Sequence, residues 1–149
     1  MTALNAKLAI GTKVYMANDG SGAGKVLVGE VTSISGPTMS SDLIDVTSQE
    51  STGGFREKII GLTDPGELSF DIFFNQNLPS HDETAGLLYV FVNKLSKYWQ
   101  LELPASMGVW QFQGIVNGFE LDASVDDALK ASVTIAISGL PSFAATLWP

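Results

Sequence analysis

Strict alternation of apolar with polar residues runs through most of this chain, and it makes the half-buried β-strand the dominant element. In ELSFDIFF, Leu68, Phe70, Ile72 and Phe74 fall on one face, while Glu67, Ser69 and Asp71 share the other with Phe73. YWQLEL sets Trp99, Leu101 and Leu103 against Gln100 and Glu102, and SVTIAIS sets Val133, Ile135 and Ile137 against Ser132, Thr134, Ala136 and Ser138. VWQFQGIVNGFELD is a longer run in which Gly114 and Gly118 predict bulges or a bend. With KVYMA, VLVGEVTSIS, LIDVT and FREKII there are about eight strand candidates.

One segment departs from this period. In PSHDETAGLLYVFVNKLSKY, Ala85, Leu88, Phe91, Val92 and Leu95 recur at helical spacing. Ser80 and Glu83 have the spacing of a capping box, Asp82 and Glu83 suit the positive end of a helix dipole, and Lys94 and Lys97 suit its negative end. A helix from about Asp82 to Ser96 is expected. Between Gly36 and Gly54 the chain is rich in Ser, Thr and Gly with one apolar patch at Leu43 to Val46, which reads as a long loop. STGGFREKIIGLTDPGELSF, residues 51 to 70, reads as a hairpin: a strand carrying Arg56, Glu57 and Lys58, a turn at Asp64-Pro65-Gly66, and a strand with an acidic alternate face.

A length of 149 residues suits one domain. Sixteen acidic residues against eight basic ones give a net charge of −8, which disfavours holding a phosphate backbone, because that affinity comes mostly from Lys and Arg. The absence of cysteine excludes disulfides, thiolate catalysis and Cys-ligated metals. The opening MTALNAKLAIGTKV has no basic region followed by an apolar run, and LLYVFV is far short of a membrane span, so neither a signal peptide nor a membrane segment is expected.

Motifs that suggest chemistry fail in detail. DGSGAGKV has Asp19 where a phosphate-binding loop needs Gly and Val26 where it needs Ser or Thr, and it reads as a flexible hairpin turn. His81, Asp82 and Glu83 are adjacent and point in different directions, which fits helix capping better than a metal site. The single histidine excludes most nucleophile–base schemes. The pairs Asp126 with Asp127 and Asp42 with Asp45 suit solvated loops rather than a glycosidase couple. Trp99, Trp110 and Phe112 are in phase with the strands and read as core. No catalytic residue, metal or cofactor is expected. The apolar tail FAATLWP, with Phe143, Leu147 and Trp148, packs either on its own domain or on a neighbouring subunit.

SISGP at Ser33 to Pro37, IDVTS at Ile44 to Ser48, GGFRE at Gly53 to Glu57, GLTDPGELSF at Gly61 to Phe70 and a late VTIAISG ending at Gly139 together resemble the tail tube proteins of long-tailed bacteriophages. The resemblance implies a mainly β fold, a β-sandwich flanked by one α-helix, in a single domain with a long loop at about 36–54 and extended N- and C-terminal segments. It implies homohexameric rings that stack into a hollow tube, each subunit lending four strands to a lumen-lining β-barrel through which DNA passes without specific binding. The implied location is the virion tail, after synthesis in the host cytoplasm. The implied partners are further copies of the chain, a tail terminator, a tape measure and baseplate or tip proteins, with no membrane.

Within that frame the polar strand face nominates Glu67, Ser69 and Asp71 for the lumen. The long loop nominates Met39, Asp42, Ile44, Asp45, Thr47, Gly53, Gly54, Phe55, Arg56 and Glu57 for contacts between subunits or rings, mobile in the monomer and ordered on stacking. Phe143, Leu147 and Trp148 are nominated for the C-terminal contact. The rival readings are the tube of a contractile injection or secretion system, which shares the ring without the DNA cargo, a closed small-ligand-binding β-barrel, and a hydrolase without a nominated nucleophile and base.

Overall fold

The computed structural model describes residues 11–84, 86–104, 107–123, 125, 128–143 and 145–148. Among the described residues nine strands and one short α-helix, besides a 3-10 turn at Thr52–Gly54, follow in order: β1 Lys13–Ala17, β2 Val26–Leu27, β3 Val31–Ser35, β4 Ser40–Asp45, β5 Lys58–Asp64, β6 Glu67–Phe73, α1 Leu87–Val92, β7 Ser96–Glu102, β8 Val109–Asp122 and β9 Lys130–Ser142. Seven strands form one antiparallel sheet in the order β2-β1-β7-β8-β9-β6-β3, and β4 and β5 form a separate pair.

The alternation read from sequence decides which sheet face is buried. Val14 and Met16 of β1, Leu68, Phe70 and Ile72 of β6, Trp99 and Leu101 of β7, Phe112 and Val116 of β8, and Val133, Ile135 and Ile137 of β9 make one core. Leu87 and Val90 of α1 close it. The main sheet curls around this core. Val31, Ile34 and Gly36 of the β3 region share a cleft of about 510 Å³ with Leu101 and Leu103 near the end of β7, with three strands between them in sheet order. The sheet stays open between its β2 and β3 edges, so no closed ligand-carrier barrel forms among the described residues.

The expected helix shortens to Leu87–Val92, and the reason lies at His81. His81 is fully buried; it stacks on Phe74 at 5.9 Å, accepts from the Asn75 N–H at Nδ1 (3.2 Å) and faces the Gly29 carbonyl with Nε2 (2.8 Å). An acceptor role at Nδ1 leaves Nε2 as the donor to that carbonyl. Ser80 Oγ accepts from the Gly29 N–H, so both residues pin the β2–β3 turn instead of capping a helix. The N-cap is Gly86, without a side-chain cap, and the Asp82 carboxylate accepts from the N–H groups of Thr84 and Gly86. Lys94 lies past the helix with φ of 54°, and Lys97 belongs to β7, donating to Asn18 Oδ1. Ala85, Asp126 and Asp127 lie outside the described residues.

Two further expectations change. VLVGEVTSIS divides into β2 and β3 at the Gly29–Glu30 turn, where Glu30 has φ of 61°. The supposed hairpin of residues 51 to 70 is not one, since β5 pairs with β4 and β6 pairs with β3 and β9. The stretch read as a loop contains β4, because Leu43 and Ile44 meet Ile60 and Ile59 across a strand ladder.

Candidate functional site

The face of the main sheet opposite the core is polar and acidic. Cross-strand pairing sets Ser33 beside Asp71, Asp71 beside Ser132 and Ser132 beside Glu120; Ser69 is flanked by Ser35 and Thr134. Asp71 is held from both sides, accepting from Ser33 Oγ at 3.0 Å and from Ser132 Oγ at 2.7 Å. Glu67 Oε1 accepts from Asn117 Nδ2 at 3.2 Å. The structure therefore brings Glu67, Ser69 and Asp71 onto one face, and register adds Glu120 and Asp122 of β8. Lys130 faces the same side, between Phe73 and Asp122.

β3, β6, β9 and the distal half of β8 carry this face as a four-strand unit with two open edges among the described residues. β3 pairs with β6 on one side only. β8 is twice as long as its neighbour: its first half, from Val109 to Ile115, pairs with β7, while its distal half, from Val116 to Asp122, pairs with β9 alone. The register shift between Val116 and Gly118 marks a bulge where the two halves meet. Unpaired edges are templates for another strand.

β4 and β5 continue β3 and β6 out of the sheet as one ribbon. The pairing sums match across the junction, Ser35 with Ser69 and Ser40 with Asp64, and Thr38 spans the gap. Its N–H donates to the Glu67 carbonyl at 3.1 Å, and its Oγ1 accepts from the Glu67 N–H at 3.3 Å. Gly66, with φ of 76°, passes so close that a Cβ there would lie 2.0 Å from the Thr38 carbonyl oxygen. Asp64 Oδ1 accepts from the Gly66 N–H at 2.8 Å.

The ribbon carries the loop residues nominated from sequence. Met39 stands at its base, Asp42, Ile44 and Asp45 lie in β4, and Gly53 and Gly54 form the tip with Phe55 largely exposed beside them. Local bonds order the far end: Thr47 Oγ1 accepts from the Glu57 N–H at 2.8 Å, Ser51 Oγ accepts from Ser48 N–H, and Ser48 Oγ accepts from Glu50 N–H. The Asp45 carboxyl sits below its usual range because the Thr47 hydroxyl and then the Thr47 N–H donate to it. Arg56 and Glu57 lead into β5. The segment is thus a hydrogen-bonded arm.

The C-terminal tail lies on its own domain. Trp148 is buried; its N–H donates to Gln100 Oε1 (3.0 Å), its indole N–H to the Gly20 carbonyl (3.1 Å), and its own carbonyl accepts from Lys25 Nζ (3.3 Å). Gln111 Nε2 bridges Gln100 Oε1 and the Thr146 carbonyl. Phe143 meets Trp110 edge to face at 4.9 Å, and Leu147 remains exposed. Gln100 Nε2 is the buried side-chain nitrogen without a partner among the described residues. Nothing in the sequence singled out Gln100, whose period-2 position assigns it to the solvated face that the tail covers. The loop seating Trp148 is built on Asp19, whose carboxyl is held below its usual range by the Ser21 hydroxyl, then by the N–H groups of Ala23, Ser21 and Gly22.

No group of three or more potential metal ligands occurs among the described residues, and no helix there is long and apolar enough to cross a membrane.

Residues 5–88 match the phage tail tube family of lambda-like type, more than half of the chain. No protein of curated function matches at the level of sequence. Among solved structures the chain is similar to the tail of an empty gene transfer agent particle with C6 symmetry, at TM-score 0.73 and 21% identity over 94% of this chain and 100% of that one. It is also similar to a chain of a native gene transfer agent virion (0.66, 22%, 89% and 95%). A third similar chain comes from the sheath/tube terminator of an extracellular contractile injection system in its extended state (0.64, 14%, 96% and 100%). At these identities the likeness is one of fold.

Proposed function

Since the chain belongs to the lambda-like family of phage tail tube proteins, we propose that its copies join edge to edge into a ring whose inner wall is built from β3, β6, β9 and the distal half of β8. Its role is structural, as a component of the tail tube of a virion particle. Four antiparallel strands are an even number, so β8 of one copy runs opposite to β3 of the next, and the ladder continues antiparallel through the seam. Such a head-to-tail contact closes both open edges at once, which removes the aggregation hazard that each presents alone.

The C6 symmetry of the similar gene transfer agent tail supports six copies. Six times four strands at about 4.8 Å spacing give a wall about 115 Å around and about 37 Å across before tilt, wider than the 16–18-stranded barrels that already leave an aqueous channel. The observation that carries the reading is the acidic face between two open edges. Closed into a ring with that face inward, Glu67, Asp71, Glu120 and Asp122 line the lumen and repel a passing phosphate backbone instead of retaining it. The arm of β4 and β5 reaches a neighbouring subunit or ring, and the two ends of the stack meet the terminator, the tape measure and the baseplate or tip proteins. No catalytic step is assigned to any residue.

The test is charge reversal inside the channel. Glu67→Lys with Asp71→Lys leaves tubes intact by electron microscopy and slows genome ejection, because the lumen then holds the DNA it should release. Ejection at the wild-type rate from intact double-mutant tubes removes these two residues from the lumen.

A further inference from the structure

The floor beneath the C-terminal tail is a row of side chains that reads a peptide main chain. Register places Tyr15, Gln100 and Gln111 side by side on β1, β7 and β8, on the sheet face opposite Trp99 and Phe112. Three side chains hold main-chain groups of the tail. Gln111 Nε2 donates to the Thr146 carbonyl at 2.7 Å, Gln100 Oε1 accepts from the Trp148 N–H at 3.0 Å, and Lys25 Nζ donates to the Trp148 carbonyl at 3.3 Å. A carbonyl at one residue, with the N–H and carbonyl two residues on, is what one edge of an extended chain offers to a neighbouring strand. Main-chain bonds of this kind accept any sequence, and a side-chain pocket supplies the selectivity.

That pocket is the loop at 18–25. The Gly20 carbonyl accepts from the Trp148 indole N–H at 3.1 Å, and Gly22, with φ of 86°, lies so close to the ring that a Cβ there would fall 2.6 Å from Trp148 Cγ. Bonds that do not involve the tail shape the loop: the Asn18 N–H donates to the Ala23 carbonyl at 2.8 Å, and the Ser21 N–H and hydroxyl donate to the Asp19 carboxylate. Thr146 and Leu147 are exposed, so Trp148 is the buried side chain of the tail among the described residues. The fit is incomplete at Gln100. Its Oε1 takes two donors, Trp148 N–H and Gln111 Nε2, which fixes the orientation of the amide, and its fully buried Nε2 has no acceptor among the described residues. A ligand that brings an oxygen to that nitrogen makes a bond the tail does not make.

We propose that this seat is a peptide-binding groove for a different polypeptide, and that the chain's own tail is its built-in competitor. The ligand is an extended segment that carries a tryptophan for the pocket of Gly20 and Gly22 and, close to it, a side-chain oxygen for Gln100 Nε2. Tethering gives the tail an effective concentration on the order of millimolar, so it fills the groove in the free subunit and keeps out peptides that offer the tryptophan alone. A segment that adds the missing acceptor displaces it. The proposal stands apart from the tube-wall reading, because the groove lies on β1, β7 and the first half of β8, and the wall is built from β3, β6, β9 and the distal half of β8.

The experiment uses the full-length chain. Trp148→Ala removes the anchor and keeps the lining of the pocket, and circular dichroism checks its fold. A fluorescein-labelled peptide of sequence ATLWP, and a panel of it with Asp or Asn at each position other than the tryptophan, are titrated by fluorescence anisotropy. ATLWP is expected to bind Trp148→Ala about tenfold or more tightly than it binds the wild type, because the tethered tail no longer competes. The same peptide without its tryptophan should bind neither protein. At least one acceptor-bearing peptide should bind about tenfold more tightly than ATLWP, and Gln100→Glu in the Trp148→Ala chain, which removes the free N–H, should cancel that gain while still taking ATLWP. Equal binding of ATLWP to wild type and variant, or binding to neither, overturns the groove. A panel with no tighter member overturns the proposal as well, since nothing then displaces the tail. A second measurement needs no substitution. The chain has three tryptophans, so fluorotryptophan labelling gives each a fluorine resonance, and excess of the tightest unlabelled peptide should move the Trp148 resonance to that of a solvent-exposed indole while the Trp99 resonance stays. A Trp148 resonance unmoved at saturating peptide, or one that depends on protein concentration alone because the tail seats on a second copy, overturns it.

Discussion

Gly66→Ala tests whether the arm is aimed by its backbone crossing. Gly66 has φ of 76°, and a left-handed non-glycine residue costs about 1–2 kcal/mol. The added Cβ also falls 2.0 Å from the Thr38 carbonyl oxygen and 2.6 Å from its carbon, where real contacts stay beyond 3.0 Å. Thr38 must therefore move by about 1 Å, straining the two bonds to Glu67 that join arm to sheet, each worth about 0.5–1.5 kcal/mol. The total is about 2–5 kcal/mol if the junction holds. The arm has few contacts with the core, so it can yield first, which limits the measured loss to about 1–3 kcal/mol and the fall in Tm to roughly 3–10 °C.

Thermal melting by near-ultraviolet circular dichroism reads the core, and light scattering reads tube growth. The expected result is a folded domain with a modestly lower Tm that no longer stacks. Gly54→Ala separates the two contributions: it has φ of 73° and open space around its Cβ position, so it carries the left-handed cost without a collision. Gly66→Ala melting and stacking like Gly54→Ala would refute the argument from close approach.

Other perturbations follow from the same geometry. His81→Ala removes a fully buried ring, its stack on Phe74 and two hydrogen bonds, and should cost about 2–4 kcal/mol by denaturant titration. Trp148→Ala should cost about 1–3 kcal/mol, limited because the tail can detach while the rest stays folded, with loss of the Trp148 share of the buried-indole fluorescence while that of Trp99 remains. The Asp19 carboxyl is lowered in the folded chain, so its contribution is present above its ordinary value of 3.8 and is lost as pH falls through the lowered value. Trp148 fluorescence should accordingly shift on acidification below that ordinary value, and Asp19→Asn should show the shifted signal already at neutral pH.

The sequence carried the strand faces well and the connections poorly. Alternation at Glu67 to Phe73 and at Val109 to Asp122 identified which residues turn to the core, because burial on one face is a local property of a strand. Pairing partners are not local. The hairpin suggested by Asp64-Pro65-Gly66 dissolved because each flanking strand finds its neighbour across the chain, β5 at Ser40–Asp45 and β6 at Val31–Ser35 and Lys130–Ser142. The apolar pairs Leu43-Ile44 and Ile59-Ile60 were visible signs of a ribbon, obscured by the Ser and Thr around them. His81 departs from the expected capping role because its partners, Gly29 and Asn75, are chosen by tertiary packing. The open distal edge of β8 follows from the unequal lengths of β7 and β8, which no motif encodes.

The most direct test of the tube-wall account is a helical reconstruction of assembled tubes at side-chain resolution. The account predicts β3 of one copy hydrogen-bonded antiparallel to the Val116–Asp122 half of β8 in the next, with Glu67, Ser69, Asp71 and Glu120 facing the lumen. Tubes in which that face points outward, or in which those two edges remain unpaired, would contradict it.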